Sequence, residues 1–398
     1  MHAELPDLIL RKGADRRLRA GHLWVFSNEV DTERSPLSAF SAGDPVVVRG
    51  TDGRVLGSAY VEPNALICAR LYAPNQMVAP DAGLFSNSLG AALEARQQFF
   101  DAPFYRLVYG DSDLLPGLVV DRFGDYLVCQ FNNAGIERYQ AQVIDALVSQ
   151  LSPEGVLLRS DSRNRREQGL EDRIETVFGD VPAAVPLEEN GVRFEAPVKG
   201  GQKTGWFYDH RLNRARLQAF SRGARVLDVY SYIGGWGIQA AAAGADSVIC
   251  VDSSQAALDA VAGNAALNGV GDQVSCEQGR ADAVMQALAA AGEQFDIVVL
   301  DPPAFVQRRK DLKKGIAAYR RINELGLRLL RPGGLLVAGS CSMHMPRLEL
   351  NAALQGAARR SACELRIVEQ GGQGPDHPIH PAIPETEYLK AVFARRMN

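Results

Sequence analysis

The sequence predicts an α/β chain in which a C-terminal domain built on a parallel sheet follows an N-terminal β-rich module and a central α+β module. Three observations carry this reading. In the second half of the chain the apolar runs ARVLDVYS, SVICVDSS, FDIVVLDPP and GLLVAGSCS alternate with helical stretches. These runs are nearly continuous rather than alternating, as strands covered by helices on both faces require. Before Ala73, by contrast, short strand-like runs are separated only by turns.

Taken in order, LILR, HLWVFSNEV, DPVVVRG, RVLGSAYV and ALICARLYA read as strands, and TDG at 51–53 reads as a hairpin turn. A helix is expected over 84–100. Strands follow within YRLVYGDSDLLPGLVVDRFGDYLVCQFNN, then a helix over 139–151 and a strand at GVLLRS. The central module is expected to end near Val181, and a hairpin around Glu189, Asn190 and Gly191 leads into the last domain. The expected divisions are 1–75, 76–182 and 183–398.

With 398 residues, 46% of them hydrophobic, the chain can bury two or three cores and is too apolar for disorder. The six cysteines (Cys68, Cys129, Cys250, Cys276, Cys341 and Cys363) form no C-x-x-C pair and no cluster with histidine. That argues against a disulfide framework and against a zinc site, so no metal is expected. The N-terminal stretch has no signal-peptide core, and no segment approaches the ~20 apolar residues of a membrane span. A cytoplasmic protein without a membrane partner is the expectation. Net charge is −4 and the isoelectric point 5.9, so contact with nucleic acid has to come from local basic patches rather than bulk charge.

The chemistry gathers where the apolar runs end. After ARVLDVYS comes the loop SYIGGWG, in which Gly234, Gly235 and Gly237 let the backbone turn tightly and approach a ligand. The next run ends in Asp252, placed to take both hydroxyls of a ribose, or else to cap the following helix. The loop is G-G-x-G rather than G-x-G-x-x-G, and Asp228 precedes it inside the first strand. Both features separate it from a nicotinamide-binding unit. The arrangement looks like a class I methyltransferase site. In such sites the position of Asp282, in the third strand region CEQGRADAV, meets the adenine amino group; a surface helix cap is the alternative.

The fourth run ends in Asp301-Pro302-Pro303-Ala304-Phe305, where two prolines after an acid force a rigid, extended exit at the ligand-binding edge of the sheet. The fifth delivers Ser340-Cys341-Ser342 to the same edge. If the two strands are neighbours their ends lie ~4.8 Å apart, and Asp301 and Cys341 flank one base. That pair suits a particular reaction. C5 of a pyrimidine is a weak nucleophile, but a thiolate adding at C6 makes C5 enamine-like, and Asp301 can assist by hydrogen-bonding or protonating the N3/N4 edge.

Together with GQKTGWFYDHR at 201–211 and GDSDLLPGLVVDRFGD at 110–125, the segments YSYIGGWG, VDSS, DPPAF and SCS resemble the bacterial 23S ribosomal RNA cytosine-5 methyltransferases of the large-subunit methyltransferase I type. The resemblance covers nearly the whole chain. It implies an N-terminal PUA domain, a central β-β-α-β-β domain and a C-terminal Rossmann-like class I methyltransferase domain using S-adenosyl-L-methionine. It also implies that Lys203, Thr204 and Gly205 hold the cofactor, with Phe207 and Asp209 nearby and Asp228, Tyr230, Asp252, Asp282 and Asp301 completing the set. Lys203 suits the methionine carboxylate. Ile233 and Trp236 stand where Thr and Phe are common, so only the backbone role of that loop carries over. The DPPAF turn lacks the second cysteine found in other RNA cytosine-5 methyltransferases, which leaves Cys341 as the candidate thiol.

The implied partner is 23S ribosomal RNA, free or in a partly assembled large subunit. Candidate basic patches are Arg11, Lys12, Arg16, Arg17 and Arg19; Arg159, Arg163, Arg165 and Arg166; and the run from Arg308 through Lys314. Pro302, Pro303 and Phe305 are placed to meet the substrate base, with Phe305 and Tyr319 as stacking rings. Two other readings remain: methylation of a base nitrogen in RNA, and a non-catalytic RNA-binding factor in ribosome assembly. Oligomeric state is open, a homodimer included.

Overall fold

The computed structural model describes residues 5–398. The chain divides into two compact units. The first holds the residues up to Val185 together with Pro197–Trp206 and Pro375–Thr386; the second holds Pro186–Ala196, Phe207–Gly374 and Glu387–Asn398.

The first unit contains two five-stranded sheets. Strands β1 (Asp7–Ile9), β2 (Trp24–Phe26), β3 (Pro45–Arg49), β4 (Val55–Val61) and β5 (Ile67–Pro74) form one in the order β1-β3-β4-β5-β2. The Thr51-Asp52-Gly53 turn closes the β3–β4 hairpin, with Gly53 at φ +80° and Gly50 N donating to Arg54 O at 3.0 Å. Leu8, Val25, Val46, Val48 and Ala59 fill its core, which Ile383 of the returning segment completes.

The second sheet orders β10 (Arg173–Gly179), β9 (Gly155–Ser160), β8 (Tyr126–Phe131), β7 (Leu118–Phe123) and β6 (Phe104–Tyr109). Strands β8 and β9 are parallel because the helix Gln140–Leu151 crosses between them. That helix and Ala82–Gln97 bury Val143, Leu147, Phe85 and Leu89 against the sheet. Strand β10, which the sequence pattern does not announce, pairs antiparallel with β9 at the edge.

Buried arginines pin the returning segments. Arg96, 2% exposed, grips Asp113 with two nitrogens and donates to Asp376 O at 3.0 Å. Arg159 donates to Val198 O at 2.5 Å and to Gly201 O at 3.0 Å, and Arg165 is enclosed by Glu137 and Phe131 O. Arg159 and Arg165 are therefore structural and drop out of the basic patch expected in this region. Arg163 and Arg166 are exposed.

In the second unit a two-stranded hairpin, β11 (Val185–Glu189) and β12 (Val192–Ala196), turns through Asn190 and Gly191, both at positive φ. A seven-stranded sheet follows: β13 (Arg225–Val229), β14 (Ser247–Asp252), β15 (Val274–Gln278), β16 (Phe295–Leu300), β17 (Leu330–Ser340), β18 (Leu365–Gly371) and β19 (Lys390–Arg396). Its order is β15-β14-β13-β16-β17-β19-β18. The first five strands run parallel, and β19 lies antiparallel between β17 and β18. Chain order reverses at β13, which opens a crevice beyond the carboxyl ends of β13 and β16. The sequence places the fifth strand after Pro332-Gly333-Gly334. Instead β17 starts at Leu330 and absorbs those residues where its register with β16 shifts.

Among the described residues no helix is long and apolar enough to cross a membrane. Leu336 sits fully buried in β17, paired with Val298 and Ala394 on either side. Truncating it leaves a cavity that close-packed neighbours fill only in part. Leu336→Ala is expected to lower unfolding free energy by about 3 kcal/mol, read as a reduced urea midpoint. An unchanged midpoint would place β17 outside the cooperative core.

Candidate active site

The loop after β13 is strained in a way its sequence explains. Tyr230 and Tyr232 adopt φ of 66° and 49°, uncommon for residues with side chains, while Val251 O accepts from Tyr230 N and Ser231 N. Gly234, Gly235 and Gly237 are all buried. A Cβ on Gly237 would lie 2.7 Å from Cys250 Sγ and 3.1 Å from Asp228 Oδ2, the oxygen that accepts from Gly237 N at 2.8 Å. Glycine there lets the loop close onto Asp228. The other carboxyl oxygen of Asp228 is buried with no hydrogen-bond partner. Burial, reinforced by the nearby Asp301 and Asp252 charges, pushes the Asp228 carboxyl up from 3.8 to about 7.

Asp252 ends β14 and accepts from Tyr232 N at 3.0 Å and Ser254 N at 2.9 Å, one bond on each oxygen. Each oxygen keeps a second lone pair for a ligand hydroxyl. Ser254, not Asp252, caps the next helix. Asp282 lies in the first turn of the helix Ala281–Ala290 rather than at the end of β15. Arg280, Ala283 N and Arg321 hold its carboxyl below the usual range, the Arg280 contact most of all. A cleft of about 390 Å³ opens between these acids, lined by Tyr230, Asp252, Asp282, Phe305 and Ile322. Its size falls within the range of about 300–1,000 Å³ usual for small-molecule sites.

Asp301 leaves β16 into the Pro302-Pro303 turn, and each of its oxygens faces a ring nitrogen. Trp236 Nε1 donates to Oδ2 at 3.1 Å, and His210 Nε2 lies 3.2 Å from Oδ1. His210 is 3% exposed and packs its ring 5.0 Å from that of Trp236. Burial opposes the imidazolium, but the Asp301 carboxylate outweighs it and raises the His210 pKa. Burial likewise opposes the Asp301 charge, yet His210 and Trp236 hold its pKa below the usual value. The two shifts have opposite signs, as mutual stabilisation of the imidazolium and the carboxylate requires. Sequence reasoning missed His210, although the motif quoted at 201–211 contains it; its meaning depends on a strand some ninety positions away. Trp236 uses an indole N–H that a phenylalanine lacks.

Parallel pairing of β16 with β17 brings Cys341 beside this turn, with Sγ 4.0 Å from Pro302 O. Ser342 Oγ accepts from Val306 N at 3.1 Å, and Tyr319 Oη lies 2.9 Å from the hydroxyls of both Ser340 and Ser342. Tyr319 is fully buried, so it braces the two strand exits and is not open to stack a base, contrary to expectation. Phe305 is partly exposed, its ring 4.9 Å from that of Tyr319. Pro302 is buried and Pro303 exposed.

Phe207 packs edge-on to Tyr232 at 5.7 Å, and Asp209 accepts from Tyr388 Oη at 2.5 Å. Lys203, Thr204 and Gly205 belong to the first unit. There Thr204 Oγ1 donates to Asp121 at 2.5 Å, Lys203 is exposed, and Gly205 turns at φ +99°. Arg17 binds Glu29 with two nitrogens and stacks on Phe26, whereas Arg11, Lys12, Arg16 and Arg19 are exposed. So are Arg308, Arg309, Lys310, Lys313 and Lys314.

A glycine loop over a buried acid, acidic residues beside an adenosine-sized cleft, and the crevice at the β13–β16 reversal define a Rossmann-like S-adenosylmethionine-dependent methyltransferase. Residues 124–395 match the S-adenosylmethionine-dependent methyltransferase family and residues 8–74 a PUA-like domain. Ribosomal RNA large subunit methyltransferase I of Shewanella denitrificans is 35% identical over 97% of this chain and 98% of its own. The protein of the same name from Aeromonas salmonicida is 36% identical over 98% of each. A Streptococcus mutans structure shares the fold, with a TM-score of 0.83 at 18% identity, covering 98% of this chain and 100% of that one. The chain belongs to the ribosomal RNA large subunit methyltransferase I family.

The raised Asp228 pKa makes a pH prediction. As pH rises from about 4 to about 7 the unfolded chain releases this proton while the folded one retains it, so stability falls across that window. The penalty approaches about 4 kcal/mol above pH 7. Asp228→Asn removes it, and urea unfolding at pH 5 and pH 8 is expected to show a smaller loss in the variant than in the parent. Equal losses would contradict the assignment.

Proposed function

We propose that the protein methylates C5 of a cytosine in 23S ribosomal RNA through transient attack of Cys341 on C6. The substrate class follows the name its relatives carry. The observation that supports the chemistry is the thiol of Cys341 set beside the Asp301-Pro302 exit. S-adenosylmethionine, when bound, supplies the electrophilic methyl group. One structure of the same fold, at 18% identity, is complexed with SAH.

In this reading Asp252 takes the ribose hydroxyls, Asp282 the adenine amino group, and the backbone of Gly234, Gly235 and Gly237 approaches the ligand beside Tyr230 and Asp228. Phe207 and Asp209 serve the methionine end. Cys341 Sγ gives its electron pair to C6, which leaves C5 nucleophilic. Its lowered pKa makes Asp301 an acceptor for the cytosine amino group rather than a proton donor. After C5 is alkylated its proton leaves, and the C5–H electron pair expels the thiolate. Pro302 and Pro303 keep the turn rigid, and Phe305 offers an apolar face. The PUA-like segment within 1–75 and the exposed basic residues around Arg16 and Arg308 contribute RNA affinity, with Arg17 adding charge while tied to Glu29.

Three measurements test this. In calorimetry, Asp252→Ala is expected to weaken S-adenosylmethionine binding by about 1.5 to 3 kcal/mol, and parent-like affinity would remove the ribose role. Cys341→Ala is expected to abolish methylation of 23S RNA while sparing cofactor binding. RNA carrying 5-fluorocytosine at the target blocks the final proton loss, so a covalent adduct at Cys341 is expected. Methylation retained in Cys341→Ala would favour a base nitrogen as acceptor.

A further inference from the structure

We propose that Lys390 is a positioning residue whose buried ammonium, anchored on the carbonyl next to Cys341, favours the thiolate of that cysteine. This rests on reading Cys341 as the nucleophile. Lys390 opens β19 directly opposite Ser340 in the antiparallel register with β17, and only 4% of its surface is exposed. Its ammonium donates to Ser342 O at 2.6 Å and to Tyr388 O at 2.8 Å. The lysine therefore clamps the strand end that carries Cys341, one residue to each side of the thiol.

Two donors are spent on neutral carbonyls, and an ammonium has three. Among the described residues no carboxylate lies within 4.0 Å of this nitrogen, unlike the other deeply buried cations Arg96, Arg165 and Arg214. A buried charge is costly unless it is paired. The charged or ionisable groups that act on Lys390 are Cys341, Arg347 and Glu387, and Glu387 is itself 4.0 Å from Arg347. Tyr319, on the helix Leu312–Leu329, also faces Cys341 and is held neutral by its raised pKa. Burial lowers the Lys390 pKa to about 8, and the Cys341 thiolate is the first of its neighbours to oppose that loss of charge. Stabilisation is mutual: the cation that the thiolate favours in turn favours the thiolate. During catalysis the proton stays on Lys390 while sulfur gives its electron pair to C6 and recovers it on elimination.

The test is the pH dependence of Cys341 alkylation by iodoacetamide, followed by peptide mass mapping so that the other five cysteines do not interfere. The parent protein is expected to titrate below the ordinary thiol range, and a midpoint at or above that range overturns the proposal. Lys390→Met keeps length and removes charge. It should move the midpoint to higher pH and slow alkylation at neutral pH roughly tenfold, with Lys390→Arg restoring much of the rate. An unshifted midpoint in folded Lys390→Met, or in Lys390→Gln if the first variant does not fold, also overturns it. The readout needs neither RNA nor cofactor. Methylation surviving in Cys341→Ala would refute the nucleophile, whereas an unshifted profile alongside an inactive Cys341→Ala would refute Lys390 alone.

Discussion

Everything in the candidate site depends on the parallel register between β16 and β17. Leu300 lies opposite Ala338, so Asp301 departs from the sheet just before Ser340 and Cys341 leave it. The fit is close enough that a side chain at position 339 would collide with it: a Cβ on Gly339 would stand 2.8 Å from Asp301 Oδ1. Both strands lie inside a core that includes Val298, Leu300, Leu336 and Ala338. A slip of one residue would send that apolar set to the opposite face of the sheet and separate the thiol from the carboxylate in the same step. Packing of the core and placement of the two reactive groups are therefore one constraint.

On this frame the electrostatics are lopsided. Asp228, Asp252 and Asp301 come from the ends of three adjacent strands, and their mutual repulsion contributes to the raised Asp228 pKa. His210 faces one of the three, and Arg214 is committed to Glu189. The remaining negative potential suits a cofactor whose reactive centre is a sulfonium. On the far side of the Asp-Pro-Pro turn the sign changes, with Lys390 buried at the β17 exit and Arg308, Arg309 and Lys310 exposed beyond it. In the proposed reading, a cationic cofactor and an anionic RNA would meet opposite fields across one turn.

The parallel strands were legible because their apolar runs are long and uninterrupted, and the acids were legible because each closes or follows such a run. Strands β10, β18 and β19 were not. Their sequences RIETVFG, LRIVEQG and KAVFARR are interrupted by charges, and they become strands by pairing with β9, β19 and β17 respectively, the last far away in sequence. Asp252 and Asp282 announce themselves by position, and the structure puts them on one cleft. His210 and Lys390 carry no such local signal, since each acquires its role from a partner in another element. The clue available was weak: a lysine at the head of an apolar strand, where a charge is out of place. For the basic patches the reverse holds, because charge is visible in sequence but burial is not. Arg159 and Arg165 turned out to be internal fasteners.

The position of β19 has a consequence for how the protein comes off its own ribosome. Strand β19 lies between β17 and β18, so the sheet has a gap until the residues through Arg396 are available. The first unit waits in the same way, since Ile383 completes its N-terminal core and Asp376 receives Arg96 and Arg106. Neither unit can finish folding as its earlier residues emerge, although domains usually fold in order of synthesis. Contacts that span most of the chain are slow to form, and the exposed edge of β17 has to be protected meanwhile. Each unit therefore completes its fold only once its returning segment has been made, through Thr386 for the first unit and through Arg396 for the second.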